Sequence, residues 1–531
     1  MLIRNARVYP MDGSARVADA VLVRSGHIAA VGSSADVGDP APGERVVDAG
    51  GRTLLPGLID AHAHLINLAR GKLGVIVTGC ASPEEVADRV RERAAALPPG
   101  NWIIGRGWDQ NLWSANAFPT ADLLDAVVPA HPIVLTRIDG HASWANRLAL
   151  RRAGIDAGTP DPAGGRFLRD EHGEPTGILI DTAQRLLREA IPPPAEEAML
   201  QAIRVAIADC VRVGLTQIHE MGVDLATIRL YKRLIDAGEF PFRVYAAVGG
   251  RGETWDHYRQ TGPEIGYGGD RLSVRALKLV ADGALGSRGA ALLAPYSDDE
   301  ANSGLTIIAK EEVFDLCMEA VQAGFQVCTH AIGDRANREV LDAYQQTFAT
   351  HTLTDHRFRV EHAQILTEAD LPRFRRLGVL PSMQATHCTS DMPWATVRLG
   401  TERLRYAYAW RSLLDTGVPI LGGSDFPVEN PNPLLGLYAS IARRQPGGVT
   451  REGWNPAERM SRQEAVRSFT SWAAYGAFEE GQRGTIAPGY SADLVLLTGD
   501  PFTVPEEAIP QILPSMTVVG GEVAYESGEM K

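Results

Sequence analysis

The chain has 531 residues, and its 52 basic and 65 acidic residues give a formal net charge of −13. This negative balance argues against nucleic acid or an anionic membrane surface as the main partner. The length predicts one large domain with a smaller domain or an insertion, and the composition (45% hydrophobic, 22% charged) is typical of a globular protein.

Cysteine usage and apolar runs predict the compartment. The five cysteines form no CxxC pair, which argues against a disulfide framework or a zinc ribbon and favours a reducing compartment. The first residues, MLIRNARVYPMDG, contain no apolar stretch of the signal-peptide kind. No apolar run approaches the roughly 18–20 residues that a spanning helix needs. We therefore expect a cytoplasmic protein.

Both ends of the chain read as short strands joined by Gly and Asp turns. Residues 1–55 and 480–531 share this pattern, with segments such as ADAVLVRSGHIAAVG and SADLVLLTGDP. Because chain ends often lie close together, we predict one small β-sandwich built from both termini. Two separate β extensions are the alternative.

Residues 56–479 alternate short apolar runs with helical stretches. Eight such runs, each followed by a helical stretch, are typical of a parallel α/β fold, the (β/α)₈ barrel. The runs occupy residues 57–62, 214–220, 242–248, 274–280, 325–330, 358–363, 378–384 and 418–425. The first gap is far too long for a normal crossover. We therefore predict an inserted subdomain at about residues 66–200, expected to overhang the active-site face.

The strongest local motif is His62-Ala63-His64, at the end of the first run. Side chains at i and i+2 of a strand point to the same face, so the two imidazoles converge. Neutral imidazole is a common ligand of zinc and similar ions. Alone, the motif is a weak signal.

Four further polar residues strengthen the motif because of where they stand. His330, His362 and Asp425 each end a predicted strand, and Lys278 lies near the end of another. Catalytic groups of such barrels cluster at the carboxyl ends of the strands. The alternative is that each histidine is an ordinary core or surface imidazole.

Lys278 should face the barrel interior, because its neighbours Leu277 and Leu279 should face the helices. Burial and nearby metal cations would lower its pKa and favour the neutral amine, which can take up CO₂ as a carbamate. An ion pair with Asp282 or Asp425 is the alternative.

The ordered HxH, Lys, His, His and Asp, with the phrases ALKLVADGALGSRGA, THAIGDRAN, RVEHAQ and GGSDFPVE, resembles the amidohydrolase superfamily. The branch is amidohydrolase family 3, which contains YtcJ-like proteins and N-substituted formamide deformylases. The resemblance covers nearly the whole chain. It implies one or two divalent ions, Zn²⁺ by expectation, with His62, His64 and Asp425 on one ion, His330 and His362 on the other, and a carboxylated Lys278 between them.

The resemblance also implies a reaction, hydrolysis of a carbon–nitrogen bond other than a peptide bond, in an amide or an N-formyl or N-acyl amine, by metal-activated hydroxide. Asp425 would accept the proton and pass it to the leaving nitrogen. A deaminase, a carbamate or ester hydrolase, and a non-catalytic barrel scaffold are the alternatives. Motifs for serine hydrolases, phosphate loops and dinucleotide folds do not occur in the sequence.

Substrate contacts are the least determined feature of the sequence. The substrate is expected to be a small molecule, and a homodimer is expected because twofold assemblies are the commonest. Loop packing is the alternative role for each candidate contact residue. The candidates are Trp108, Asp109, His141, His219, Arg288 and His387.

Overall fold

The structure is a computed structural model that describes residues 1–115, 117–138, 140, 142–162, 165–448 and 453–528. The chain divides into two compact units. One unit combines Met1–Leu65 with Ile207–Lys531, and the other is Ile66–Ala206.

Eight parallel strands form the barrel of the first unit, each paired with the next along the chain. Nearly all of their residues are buried, as expected for strands covered on both faces. The strands are β1 (Leu58–Ala63), β2 (Leu215–Val223), β3 (Arg243–Gly249), β4 (Leu272–Val280), β5 (Gln326–Ala331), β6 (Arg359–His362), β7 (Leu380–Gln384) and β8 (Leu421–Gly423).

The two ends of this sheet meet just beyond their strands. The backbone N–H of Asp425 donates to the carbonyl of His62 at 2.7 Å, and that of His64 donates to the carbonyl of Phe426 at 2.9 Å. These bonds link the carboxyl end of β1 to the segment after β8, so the ring is nearly closed. The predicted (β/α)₈ fold class is confirmed.

A helix follows each strand from β2 to β8. Their ends carry the expected caps: the Asp224 carboxylate accepts from the N–H of Thr227, and Gly324 ends its helix at φ 80°, where glycine is favoured. The helices are α1 (Leu225–Asp236), α2 (Glu253–Thr261), α3 (Lys310–Ala323), α4 (Asp334–Thr350), α5 (Leu371–Leu377), α6 (Ala385–Arg403) and α7 (Pro433–Ala442). Shorter helices of this unit are Ser34–Val37, Tyr267–Asp270, Trp410–Leu414, Arg462–Ser468 and Ser471–Gly476.

Two small sheets use strands from both ends of the chain. The strand order in the first sheet is His27–Gly32, Ala20–Arg24, Leu2–Arg4 and Val46–Asp48. The strand order in the second sheet is Arg7–Val8, Thr53–Pro56, Leu494–Leu497, Pro514–Val519 and Glu522–Glu526. Buried residues of both sheets share one apolar core, in which Ile3 and Val21 join Leu494 and Val518. The sheets therefore pack together, while the predicted domain boundaries stay predictions.

The second unit contains a six-stranded sheet of its own. Its order is Gly165–Arg169, Pro175–Asp181, Ala142–Ala145, Ile133–Arg137, Ile103–Trp108 and Val75–Ile76. Between Leu65 and Arg212 the helices are Leu65–Leu73, Pro83–Ala95, Ala121–Val127, Arg147–Arg152, Gln184–Ala190 and Glu196–Arg212. Within the described ranges, no helix is both long and apolar enough to cross a bilayer.

Candidate metal centre

The six residues singled out in the sequence lie around one cavity at the carboxyl ends of the barrel strands. Strand β1 carries His62, with His64 just beyond it, and β4 carries Lys278. The cavity has a volume of about 420 Å³, and its wall also includes His330, His362 and Asp425. The barrel thus collects side chains that are more than 360 residues apart.

Asp425 is the centre of this cluster. Its Oδ1 lies 3.0 Å from Nε2 of His64 and 3.6 Å from Nε2 of His62. Two sets of three ligand atoms each lie within 4.8 Å of one another, one from His62, His64 and Asp425 and one from His362, His387 and Asp425. Both sets combine imidazole with carboxylate ligands, which suits zinc and similar divalent ions.

Several donor atoms here are buried without a hydrogen-bond partner. Among the residues that the structure describes, these include Nε2 of His330 and Nε2 of His387. A buried polar atom left unsatisfied costs about 1–3 kcal/mol. Imidazole nitrogens left in this way beside the Asp425 carboxylate fit a bound cation.

Two imidazoles are held in the tautomer that a metal ligand needs. Nδ1 of His62 donates to Oε2 of Glu361 at 2.6 Å, and Nδ1 of His362 donates to Oε1 of Gln384 at 2.6 Å. Both oxygens act as acceptors, so each ring keeps its Nε2 lone pair for an ion. Burial, with the Lys278 charge, lowers the pKa of His62 to about 4.

The pKa values of three other groups in the cluster shift in different directions. Burial and the neighbouring His330 hold the pKa of His362 well below its usual range. Burial also lowers the pKa of His64, but its contact with Asp425 outweighs burial, so the net pKa is raised. Asp425 is ionised, since the surrounding imidazoles hold its pKa well below the ordinary value in spite of burial.

A buried ion pair lies behind His62. Nε of Arg359 is 2.7 Å from Oε1 of Glu361, and neither side chain is exposed. Arg359 also donates to the hydroxyl of Ser382 at 2.9 Å and contacts Nδ1 of His219 at 2.8 Å. The guanidinium keeps the pKa of Glu361 well below its usual range although burial acts the other way, so a carboxylate faces His62.

Asp60 links the segment carrying His62 to the segment carrying Asp425. Its Oδ1 accepts the backbone N–H of His62 at 3.0 Å, and its Oδ2 accepts the hydroxyl of Ser424 at 2.6 Å. Burial raises the pKa of Asp60 to about 7. The residue positions β1 and the turn after β8 relative to each other.

Backbone conformation redirects two of the six side chains. His362 has φ 73° and Asp425 has φ 60°, values in the left-handed region that residues other than glycine adopt at a cost of about 1–3 kcal/mol. At His362 this conformation breaks strand alternation. As a result His362 lines the cavity while its neighbour Glu361 bonds His62 of the same cluster. Strained backbone of this kind concentrates at functional sites.

Lys278 has neither of the ion pairs considered from the sequence. Within the described part of the chain, no carboxylate forms an ion pair with it, and burial lowers its pKa although Glu361 and Asp425 act in the opposite direction. The oxygens of Asp282 instead accept three backbone N–H groups at 2.8–2.9 Å, from Ala291, Ile332 and Gly333. Asp282 therefore joins the loop after β4 to the turn after β5.

Residues 45–525 match the sequence model of a family described as the amidohydrolase family. The chain belongs to this family. It is 33% identical to "Putative amidohydrolase YtcJ" of Bacillus subtilis, with 98% of each chain covered. It is 30% identical to "N-substituted formamide deformylase" of Arthrobacter pascens, with 99% of this chain and 98% of that protein covered.

A solved structure agrees in fold. This amidohydrolase resembles an uncharacterised metal-dependent hydrolase from Pyrococcus horikoshii with a TM-score of 0.81 and 26% identity, over 95% of this chain and 98% of that one. The expected family and enzyme class, a metal-dependent hydrolase acting on carbon–nitrogen bonds, are confirmed.

The candidate substrate contacts of the barrel separate in the structure. His387, in α6, lines the cavity, and its Nε2 lies 3.7 Å from Oδ2 of Asp425. His219 is wholly buried against Arg359 and is not exposed to the cavity. Arg288 forms an ion pair with Asp298 at 2.9 Å and is not part of the cavity wall.

The candidates in the inserted unit lie in or beside its own core. Trp108 is fully buried, and its indole N–H donates to the carbonyl of Leu135 at 2.7 Å. Asp109 forms an ion pair with Arg137 at 3.2 Å. In this structure Trp108 is a packing residue with no surface for a substrate. His141 lies outside the described residues.

Sequence reasoning missed several residues of the site. Asp60 stands at i−2 and i−4 from the two histidines of the HxH motif, so strand alternation already places it on their face. Helix α6 adds Asp391 and Trp394 to the candidate His387 in the cavity wall, at spacing i+4 and i+7 from that histidine, a helical stripe visible in HCTSDMPW. Glu361 carried no such signal, because its partner His62 is 299 residues away.

Proposed function

We propose that this amidohydrolase uses Zn²⁺ to hydrolyse the amide-type carbon–nitrogen bond of a small N-formyl or N-acyl amine, and that peptides are not its substrates. The observation that carries the proposal is the cluster of unpartnered donors around Asp425, backed by the Glu361 carboxylate. The relative from Arthrobacter pascens, whose name specifies a formamide substrate, supports the choice of bond.

We assign His62, His64 and Asp425 to one ion, and His330 and His362 to a second. Support comes from the free Nε2 of both Nδ1-bonded imidazoles and from the unpartnered Nε2 of His330. We further propose that Lys278 carries a carbamate between the two ions. The lowered pKa of this lysine and its place in the cavity wall support this, since only the neutral amine takes up CO₂.

A bound divalent ion would supply two effects, a lowered pKa for a coordinated water and polarisation of the substrate carbonyl. Asp425, ionised and at the centre of the cluster, accepts the proton of the attacking water. It then donates that proton to the leaving nitrogen, so that water and amide give a carboxylic acid and an amine. We also assign His387, whose Nε2 lies 3.7 Å from Oδ2 of Asp425, to the substrate carbonyl, to which its ring N–H would donate.

The test is a substrate screen on the purified full-length chain with added Zn²⁺. N-formyl and N-acyl amines are supplied together with carbamates, esters and amino-substituted rings, and formate, amine and ammonia are measured separately. We expect amine and acid from the amides and no ammonia. Release of ammonia alone would assign a deaminase, and identical rates in the metal-free protein would refute the metal-dependent reaction.

We also propose a cytoplasmic homodimer. All five cysteines are buried and none is in a disulfide, which supports a reducing compartment. Light scattering coupled to size-exclusion chromatography tests the dimer directly, since a monomer would elute at the 57.2 kDa of one chain.

A further inference from the structure

One face of helix α6 forms a stripe along the catalytic cavity. His387, Asp391 and Trp394 all belong to the cavity wall. At 1.5 Å per residue, Asp391 stands about 6 Å, and Trp394 about 10 Å, along the helix from His387. His387 is the member of the stripe that lies beside Asp425, so Asp391 and Trp394 lie progressively farther from the reacting centre.

The helix continues through Pro393 with a local compensation. Proline has no N–H, so the carbonyl of Thr389, four residues earlier, loses its helical donor. That carbonyl accepts from Nε2 of Gln445 at 3.0 Å. The second half of the stripe is thereby kept in helical geometry.

Asp391 is fixed in place but has no cation of its own. Its Oδ2 accepts from Nε2 of Gln364 at 2.9 Å and from the hydroxyl of Tyr408. Within the described residues, Oδ1 makes no hydrogen bond and no lysine or arginine forms an ion pair with the carboxylate. Burial raises the pKa of this carboxyl and Glu429, a second carboxylate of the cavity wall, acts in the same direction, whereas the hydrogen bond from Tyr408 and the neighbouring His387 act against burial.

The rest of this wall is apolar. Val280, Leu285, Ile332 and Val428 line the cavity with the ring of Trp394. A Cβ added to Gly286 would stand 3.2 Å from the Trp394 ring, so the loop after β4 packs closely on it. Beyond the metal cluster, Lys278 and His387, the described wall therefore combines two carboxylates and the amide of Gln364 with apolar surface, and it contains no lysine or arginine.

Building on the proposed function, we propose that the substrate is the N-formyl or N-acyl derivative of a diamine with an apolar, aromatic body. Its amide lies at the metal cluster, its free ammonium group is bound by Asp391, and its ring packs on Trp394. Asp391 is then a specificity-determining residue. An ammonium group supplies the positive counter-charge that the carboxylates of Asp391 and Glu429 lack. A hydrogen bond between an ammonium group and a carboxylate is about twice as strong as one between neutral groups.

The test uses two substrates of equal shape with the Zn²⁺-loaded full chain. N-formyl-meta-xylylenediamine carries the ammonium group, and N-formyl-meta-ethylbenzylamine replaces it with a methyl group. We expect kcat/KM to favour the charged substrate by about 10- to 100-fold, as for one charge-assisted hydrogen bond. Asp391→Asn should bring the ratio near one, because kcat/KM for the charged substrate should fall far more than kcat/KM for the neutral substrate.

Two further variants make the result specific. Tyr408→Phe removes one donor that holds Asp391 but keeps the carboxylate, so it should reduce the preference only in part. Asp415→Asn alters an exposed carboxylate paired with Arg411 and should change neither rate. If Asp391→Asn does not fold, the Tyr408→Phe ratio still decides the question, since an unchanged ratio there would contradict the proposal.

The outcomes separate the two proposals. A wild-type preference for the neutral substrate, or an unchanged preference in Asp391→Asn, would overturn the role of Asp391 and leave the hydrolase intact. If neither amide is hydrolysed, calorimetry with meta-xylylenediamine itself becomes the readout. Binding that depends on Asp391 would keep the ammonium subsite and reject the amide reaction, and no binding would reject the subsite too.

Discussion

Oε2 of Glu361 lies 2.6 Å from Nδ1 of His62, and neither side chain is exposed to solvent. A carboxylate in this position fixes the ring orientation of His62, holds the proton on Nδ1 and makes Nε2 a stronger electron-pair donor. Arg359 compensates the buried negative charge from the other side. Metal affinity in this protein should therefore depend on residues that touch no metal.

Replacing Glu361 tests this dependence. Glu361→Gln keeps the shape but removes the charge, so we expect Zn²⁺ affinity to fall about 10- to 100-fold. The variant should also be less stable, because a buried Arg359 without a counter-charge costs about 3–5 kcal/mol. Competition with a chromophoric chelator measures affinity, and circular dichroism verifies the fold at the temperature used.

Ser382→Ala provides the matched control. It removes another hydrogen bond of Arg359 without touching His62, so it should lower stability and leave Zn²⁺ affinity unchanged. Equal losses of affinity in the two variants would mean that general destabilisation, and not the Glu361 carboxylate, explains the effect.

Asp425→Asn should separate catalysis from folding. The asparagine side chain can still occupy the position of Asp425, but it cannot accept and return a proton. We therefore expect kcat to fall about 10²- to 10⁴-fold while the fold is retained. Initial rates on the best amide of the substrate screen measure this. Asp415→Asn is the control for a carboxylate at the surface. Near-normal turnover by Asp425→Asn would remove Asp425 from the mechanism.

Zn²⁺ binding should weaken as the pH falls through neutrality. An imidazole binds metal only when neutral, and the contact with Asp425 raises the net pKa of His64 although burial lowers it. Protons therefore compete at His64 first, whereas His62, with a pKa of about 4, stays neutral. Below the pKa of His64, affinity should fall about tenfold per pH unit.

The same titration on His64→Asn tests the assignment. This variant should bind Zn²⁺ more weakly at high pH but with a flatter dependence across neutrality. An equally steep decline in the variant would place the titrating group elsewhere.

The carbamate on Lys278 predicts a dependence on bicarbonate. Protein stripped of metal and CO₂ should regain little activity with Zn²⁺ alone and more when bicarbonate is added. Lys278→Met should bind less metal and gain nothing from bicarbonate. Full reactivation of the wild type without CO₂ would show that the lysine acts as a free amine.

The barrel could be predicted from the sequence because its signals are local. Each of the eight apolar runs overlaps an observed strand, since β propensity and burial act within a few residues. The HxH motif could be recognised for the same reason, because its two histidines are neighbours in the sequence. By contrast, Trp108 was predicted to contact the substrate but packs in the core of the inserted unit. Local sequence does not show which face of a strand is covered by residues distant in the chain.

The sequence by itself determined the strand order, the mouth of the barrel at which the polar residues gather, and the residue types able to hold a cation. Only the tertiary structure decided how they are supported. Glu361 behind His62 and Gln384 behind His362 join residues from different strands. The stripe on α6 became meaningful once its face was seen to line the cavity. The physical reason is that hydrogen bonds and charges act through space, over a few ångströms, whereas sequence patterns record only neighbours along the chain.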